Sequence, residues 1–140
     1  MNTIRRLLLL LLITGLASCD DGGSSGGGGA LAGSSWRLSG WSASSLDPAD
    51  FTITATFDDR EVGGTSAVNQ YGGTYTAKGG NFSTGALSMT EMAGPEPAMR
   101  AEQIYLTLLA QARKYDRTAG RLVLLDANGN ELLVFTARAN

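Results

Sequence analysis

The chain contains no histidine among its 140 residues. That removes the usual general base near neutral pH, the commonest metal ligand and every Ser-His or Cys-His nucleophile pair. A Ser-Lys dyad is the remaining nucleophilic arrangement. Lys78 and Lys114 both fall at element ends, however, where lysines are normally solvated. Charge is sparse at 17% of residues, with Lys and Arg numbering 11 against 13 Asp and Glu. A weakly acidic surface repels nucleic-acid phosphate and offers no polybasic patch for anionic lipid. The run Asp126-Ala127-Asn128-Gly129-Asn130 superficially suggests a calcium loop. Its sixth position is Glu131 where glycine is needed, and its twelfth is Ala137 where a bidentate carboxylate is needed. A hairpin turn with Asn-Gly at its tip is the better reading. No cofactor and no metal site is expected.

Cysteine is nearly absent too: Cys19 is the only one. It follows a cationic start with Arg5 and Arg6, a leucine-rich run from Leu7 to Leu12, and Leu16-Ala17-Ser18. This is the order of a secretory signal. The apolar run is about half of the ~20 residues that a membrane-spanning helix needs. Leu16-Ala17-Ser18-Cys19 resembles the bacterial lipobox. By that resemblance residues 1–18 are a signal peptide, and Cys19 becomes the acylated first residue of the mature chain. Lipidation also accounts for a lone thiol in an exported protein. Removing Arg5 and Arg6 leaves nine basic residues against thirteen acidic ones, a formal −4. Attachment to a membrane then depends on the acyl chains, of which two or three together hold a protein firmly. From Asp20 to Gly29 the chain has no apolar residue to bury. Residues 19–33 therefore read as the acylated cysteine plus a flexible tether. Asp20 directly after the cysteine resembles an inner-membrane retention signal of bacteria with two membranes.

The folded domain is expected over 34–140. Ser35 to Trp41 reads as a first strand, with Trp36 and Leu38 on one face and a bend at Gly40. In Phe51 to Phe57, residues Phe51, Ile53, Ala55 and Phe57 share one face and three threonines the other, the period-2 pattern of a half-buried strand. Glu61 to Gly64 begins a return strand, Gly73 to Lys78 follows, and Phe82 and Ala86 to Thr90 continue more weakly. From Pro97 to about Lys114 there is no glycine, and Ala101, Tyr105, Leu108 and Ala112 recur at helical spacing. Pro97 suits the first turn, Glu96 and Glu102 the positive end, and Arg113-Lys114 the negative end. Tyr115 to Thr118 suits a short strand, before a hairpin of Arg121–Leu125 and Glu131–Thr136. The sum is an α+β fold: mainly antiparallel β-sheet curled into a partly open barrel, with one covering α-helix.

With these elements placed, the chain resembles the META domain family, whose bacterial members include heat-inducible lipoproteins of the HslJ type. Gly33-Ser34-Ser35-Trp36-Arg37-Leu38 resembles the family's opening. Val62 to Tyr75 resembles its central glycine-rich stretch, with Asn69, Tyr71, Gly73 and Tyr75 on matching positions. Thr90-Glu91-Met92-Ala93 and then Met99, Glu102 and Tyr105 resemble the segment before the helix and the helix itself. Leu122-Val123-Leu124, Gly129 and Leu132 to Phe135 resemble the closing hairpin. Many relatives carry one cysteine in the central stretch and one before the helix, at positions matching Val68 and Gly94. The resemblance implies that those cysteines pair in the relatives. Here Val68 is expected to compensate by packing into the core.

Asn69, Tyr71 and Tyr75 are the most interesting polar set, and two readings of it stay open. Asn69 bonds backbone in a turn while the tyrosines pack with hydroxyls at the rim, or the three form a recognition surface at one barrel end. Trp41, beyond a glycine, is either core or an exposed aromatic contact. Met89, Met92 and Met99 read as gap-fillers near the helix. Together these features suggest a non-enzymatic, lipid-anchored binding or stress-related module of the bacterial envelope. It would bind an apolar ligand or a peptide in a groove between helix and sheet, as the resemblance in fold to pilot lipoproteins implies. The alternative is an inhibitor or partner of an envelope enzyme, acting through loops such as Ser42–Asp50 and Gly79–Gly85.

Overall fold

The computed structural model describes residues 29–139, so the signal, Cys19 and the stretch to Gly28 lie outside the described residues. Nine strands and one α-helix follow in order: β1 Ser34–Trp41, β2 Thr54–Phe57, β3 Glu61–Thr65, β4 Gln70–Lys78, β5 Asn81–Thr84, β6 Ser88–Met89, α1 Glu96–Gln111, β7 Lys114–Arg117, β8 Arg121–Leu125 and β9 Glu131–Ala137. Every strand pairing is antiparallel. The strand order is β3-β2-β1-β9-β8-β7-β5-β4, and β3 also pairs with β4. Eight strands thus close into a barrel, and β6 lies beside β4 as a ninth. The ring is thinnest at β5–β7, where Asn81 opposite Lys114 is the one register pair.

Alternation puts the apolar faces inward. Trp36 and Leu38 of β1, Ala55 and Phe57 of β2, Leu122 and Leu124 of β8, and Leu133 and Phe135 of β9 are all essentially inaccessible. Burying each large apolar side chain contributes about 1.5–3 kcal/mol, enough to set the register of each strand. At Gly40 the β1–β9 register shifts, the bend expected from the sequence. The strand expected from Phe51 is shorter: Pro48–Asp50 forms a 3-10 turn, and Ile53, which accepts from the Leu38 amide at 2.9 Å, pairs with Ser66 in an isolated bridge outside β2. The β8–β9 turn is as expected. Gly129 takes a φ of 85°, and the Asp126 carboxylate accepts from the amides of Asn128 and Asn130 and from the Asn130 side chain, each at 2.9 Å.

The ordered chain reaches further back than the expected start at Ser34. Gly29–Leu31 is a 3-10 turn, and Leu31, expected in the tether, is fully buried. Ser34 Oγ donates to Leu31 O and accepts from Trp36 Nε1, and Arg117 donates to Ala30 O. These contacts place chain entry at the end of the barrel where Ser34 pairs with Phe57. The other end of β1, at Trp41 opposite Leu133, lies beside α1, since Ala43 just beyond it lines one concavity together with Gln103, Ile104 and Thr107. The helix therefore covers the end opposite the tether. Ala101, Tyr105, Leu108 and Leu109 face the core, and Arg113 Nη1 donates to the carbonyls of Ala110 and Ala112 at the negative end, 2.8 Å each.

Candidate functional site

The most concentrated polar chemistry sits where the turn from β3 into β4 meets the first half of α1. Ser66 to Asn69 form a tight corner in which Ser66 N donates to Asn69 O, with Ser66 Oγ also 3.0 Å from that carbonyl. Ala67 adopts φ 81°, the left-handed region that non-glycine residues rarely enter. Glu102 reaches into this corner from the helix. Its Oε2 accepts from Ser66 Oγ and from the Asn69 amide at 2.7 Å each, and its Oε1 from Asn69 Nδ2 at 2.8 Å. Asn69 Oδ1 in turn accepts from Thr90 Oγ1 at 2.9 Å and the Met92 amide at 2.7 Å. One carboxylate and one amide thus bind the corner, the helix and the 90–92 segment together.

Glu102 is 2% exposed, the only buried charged side chain among the described residues. Burial alone would raise its pKa. Hydrogen bonds from the Asn69 side chain, Ser66 and the Asn69 and Val68 backbone outweigh burial and hold it below the ordinary value. Its negative charge is therefore stabilised by fixed dipoles rather than by a cation.

The tyrosines make a second interior network. Tyr71 Oη donates to Thr54 O at 2.9 Å and lies 2.6 Å from Tyr105 Oη. Burial drives the pKa of both hydroxyls upward. Tyr75 Oη donates to Asp58 O at 2.6 Å, and burial, with the charges of Asp58 and Asp59, pushes it up to about 12. Tyr75 also stands edge-on to Phe57, with ring centroids 4.9 Å apart.

Asn69, Tyr71 and Tyr75 are all buried, so they do not together present an exposed recognition surface. Tyr71 and Asn69 lie at the helix-covered end, and Tyr75 binds the β2–β3 turn. Trp41 is half-buried against the core, with Nε1 donating to Leu46 O at 2.9 Å. Val68 is half-buried at the rim rather than in the core, and it lies against Gly94: a Cβ on Gly94 would sit 3.5 Å from the Val68 Cβ. That separation suits a disulfide, so the two positions are neighbours, as the family resemblance implies. The methionines depart from expectation most clearly. Met89, Met92 and Met99 are 49%, 65% and 36% exposed, so they fill no interior gap.

Concavities lie at both ends. The tether end has one of about 780 Å³ beside Asp58, Asp59, Arg60 and Glu61, but Asp58 Oδ1 already accepts from the amides of Arg60 and Glu61. At the helix end, two troughs flank α1. One of about 310 Å³ lies toward Ala43. One of about 620 Å³ runs between the helix and residues 85–89, lined by Leu87, Met89, Leu106, Thr107 and Ala110 among others. Sequence reading missed the clamp carboxylate. The signal was there, because Glu102 stands three residues before Tyr105 and seven before Leu109, on the inward stripe.

A family model described as META domain matches residues 29–139. Among solved structures, a protein from Burkholderia xenovorans is 31% identical, with a TM-score of 0.66, covering 79% of this chain and 85% of that one. A DUF4847 family protein from Bacteroides vulgatus shares the fold at 13% identity and a TM-score of 0.60, covering 79% of this chain and 96% of that one. No functionally curated protein matches the chain.

Proposed function

The chain belongs to the META domain family, and from that premise we propose that it is a non-catalytic binding module held at a bacterial membrane by acyl chains on Cys19. The observation that carries the non-catalytic part is the state of the buried polar groups. Every buried side-chain nitrogen and oxygen among the described residues has a hydrogen-bond partner. Glu102, the strongest candidate for a base, is closed off from solvent and held ionised by donors it already satisfies. A general base instead needs reach to a substrate proton and a pKa near the working pH. The tyrosine hydroxyls are occupied in the same way and are harder, not easier, to ionise.

Binding is supported by the helix end. Two apolar troughs flank α1, and three methionines stand exposed nearby, a side chain whose flexibility suits adaptable contact surfaces. The tether enters at the other end, so anchoring through Cys19 does not occupy the helix end. Asp20 favours the inner membrane where two membranes exist, and the partner class is a peptide or apolar ligand of the envelope.

The test is metabolic labelling of the full-length protein with a radioactive fatty acid, with membrane fractionation of the Cys19→Ala variant. Label on the wild type that the variant loses, together with release of the variant from membranes, supports the reading. An unlabelled protein, or a serine captured by a fluorophosphonate probe, contradicts it.

A further inference from the structure

The trough between β6 and α1 is bordered by an unused strand edge. β6 has β4 as its one strand partner among the described residues. Thr90 N–H donates to Gln70 O at 3.0 Å, and the register sets Ser88 opposite Gly72 and Met89 opposite Tyr71. Antiparallel pairs alternate between bonded and non-bonded. Ser88 and Thr90 therefore turn their amides toward β4, and Leu87, Met89 and Glu91 turn theirs away from it.

The barrel wall explains why that edge is open. β5 lies along the same side of β4 and is followed by β7, but their contact ends where Asn81 meets Lys114 and Phe82 N–H reaches Arg113 O. Past Arg113 the chain is already α1. Beside residues 85–89 the position of the next strand is left to the trough, with α1 as its far wall. β6 is two residues long, so an added strand of five residues, about 17 Å, would run past Ser88–Met89 at both ends. The lining carries no charged side chain: Leu87, Met89, Gln103, Leu106, Thr107 and Ala110 are apolar or neutral.

We propose that this seam takes an extended, uncharged peptide as an added strand, paired antiparallel to residues 87–91, with alternate side chains against Leu106 and Ala110. The proposal names the partner of the binding module and rests on that reading. Main-chain pairing supplies affinity in such additions, and the pockets for alternate side chains supply selectivity. A charged side chain entering the trough would lose water without gaining a partner. The chain's own tether is not the occupant: it has no apolar residue between Asp20 and Gly29 and joins the fold at the other end.

The experiment is an NMR titration of the full-length protein with acetyl-Thr-Val-Thr-Val-Thr-amide, and with the same peptide N-methylated on alternate amides. The parent peptide should shift resonances of residues 85–91 and 103–111 and leave the 58–61 turn unmoved. N-methylation should weaken binding about tenfold or more. Met89→Pro removes an outward donor without touching a bond to β4 and should weaken binding by about the same factor, whereas Met89→Ala should stay within about threefold. Equal binding of both peptides, equal binding by Met89→Pro, shifts elsewhere or no binding at several millimolar would overturn the proposal. So would a concentration-dependent dimer that protects 87–91 without peptide, which assigns the seam to a second copy. None of these results bears on fatty-acid labelling at Cys19, so failure here leaves the anchored-module reading to its own test.

Discussion

Two regions at the helix end of this barrel solve the same problem in opposite ways. At the 66–69 corner every donor is matched: one carboxylate and one side-chain amide satisfy the turn, the helix and the 90–92 segment. A few residues away, along 85–91, the backbone turns half its groups outward and the side chains are mostly exposed. The corner fixes α1 on the barrel; the seam keeps the space beside α1 accessible. Rigidity and openness coexist because the polar clamp holds the helix at one half while the other half borders the trough.

The comparison breaks most severely at Glu102. Glu102→Ala takes the acceptor from the Asn69 amide, from one Asn69 Nδ2 hydrogen and from the Ser66 hydroxyl, which alone keeps Asn69 O within 3.0 Å, and should cost about 3–5 kcal/mol in urea unfolding. Glu102→Gln keeps the shape and one acceptor oxygen and should cost about 2 kcal/mol. The same carboxylate sets a pH window. Its folded pKa is lowered from 4.5, so the unfolded state binds the proton more readily, and stability rises with pH between the two values. The contribution is complete above about 4.5 and is lost as pH falls through the folded value. Glu102→Gln should flatten the acid limb of the stability profile, and an unchanged acid limb would place the lost stability in other carboxylates.

The next effect concerns the join between the two regions. Val68→Cys with Gly94→Cys should form a bridge on oxidation and add about 3 kcal/mol, read as the difference between oxidised and reduced unfolding curves. Gly94→Ala alone should cost about 1–3 kcal/mol, since its Cβ would meet Val68 Cγ2 at 2.7 Å, and Val68→Ala should relieve most of that. At the seam the effects on stability are smallest. Met92→Ala should change unfolding by less than about 0.5 kcal/mol, because its side chain is largely in water, and Met89→Ala, half exposed, by less than about 1 kcal/mol.

The sequence carried the barrel and the helix through two periodicities. Ile53, Ala55 and Phe57 alternate into the core, and Ala101, Tyr105, Leu108 and Ala112 recur every third or fourth residue, so burial followed pattern. It carried the Val68–Gly94 proximity through family resemblance. The clamp was overlooked because an acid near a helix start has an ordinary electrostatic explanation, although its spacing from Tyr105 and Leu109 places Glu102 on the inward stripe. The corner's backbone was hidden because Ala67, with its positive φ, lacks the glycine that usually marks such a turn. The methionines misled for a related reason: an apolar side chain near a helix does not say which side of the helix it borders, and here residues 87–92 run along the rim. Leu31 was lost in a glycine-rich context although it closes the tether end of the core.

Native-state hydrogen exchange at two amides tests the contrast most directly. The Asn69 amide, buried and bonded to Glu102, should exchange only through global unfolding, with a protection energy equal to the full unfolding free energy and falling with it in Glu102→Gln. The Met89 amide, turned away from β4, should exchange at nearly the rate of an unstructured chain. Fast local exchange at Asn69, or strong protection at Met89 in the unliganded protein, would contradict the account of a sealed corner beside an open seam.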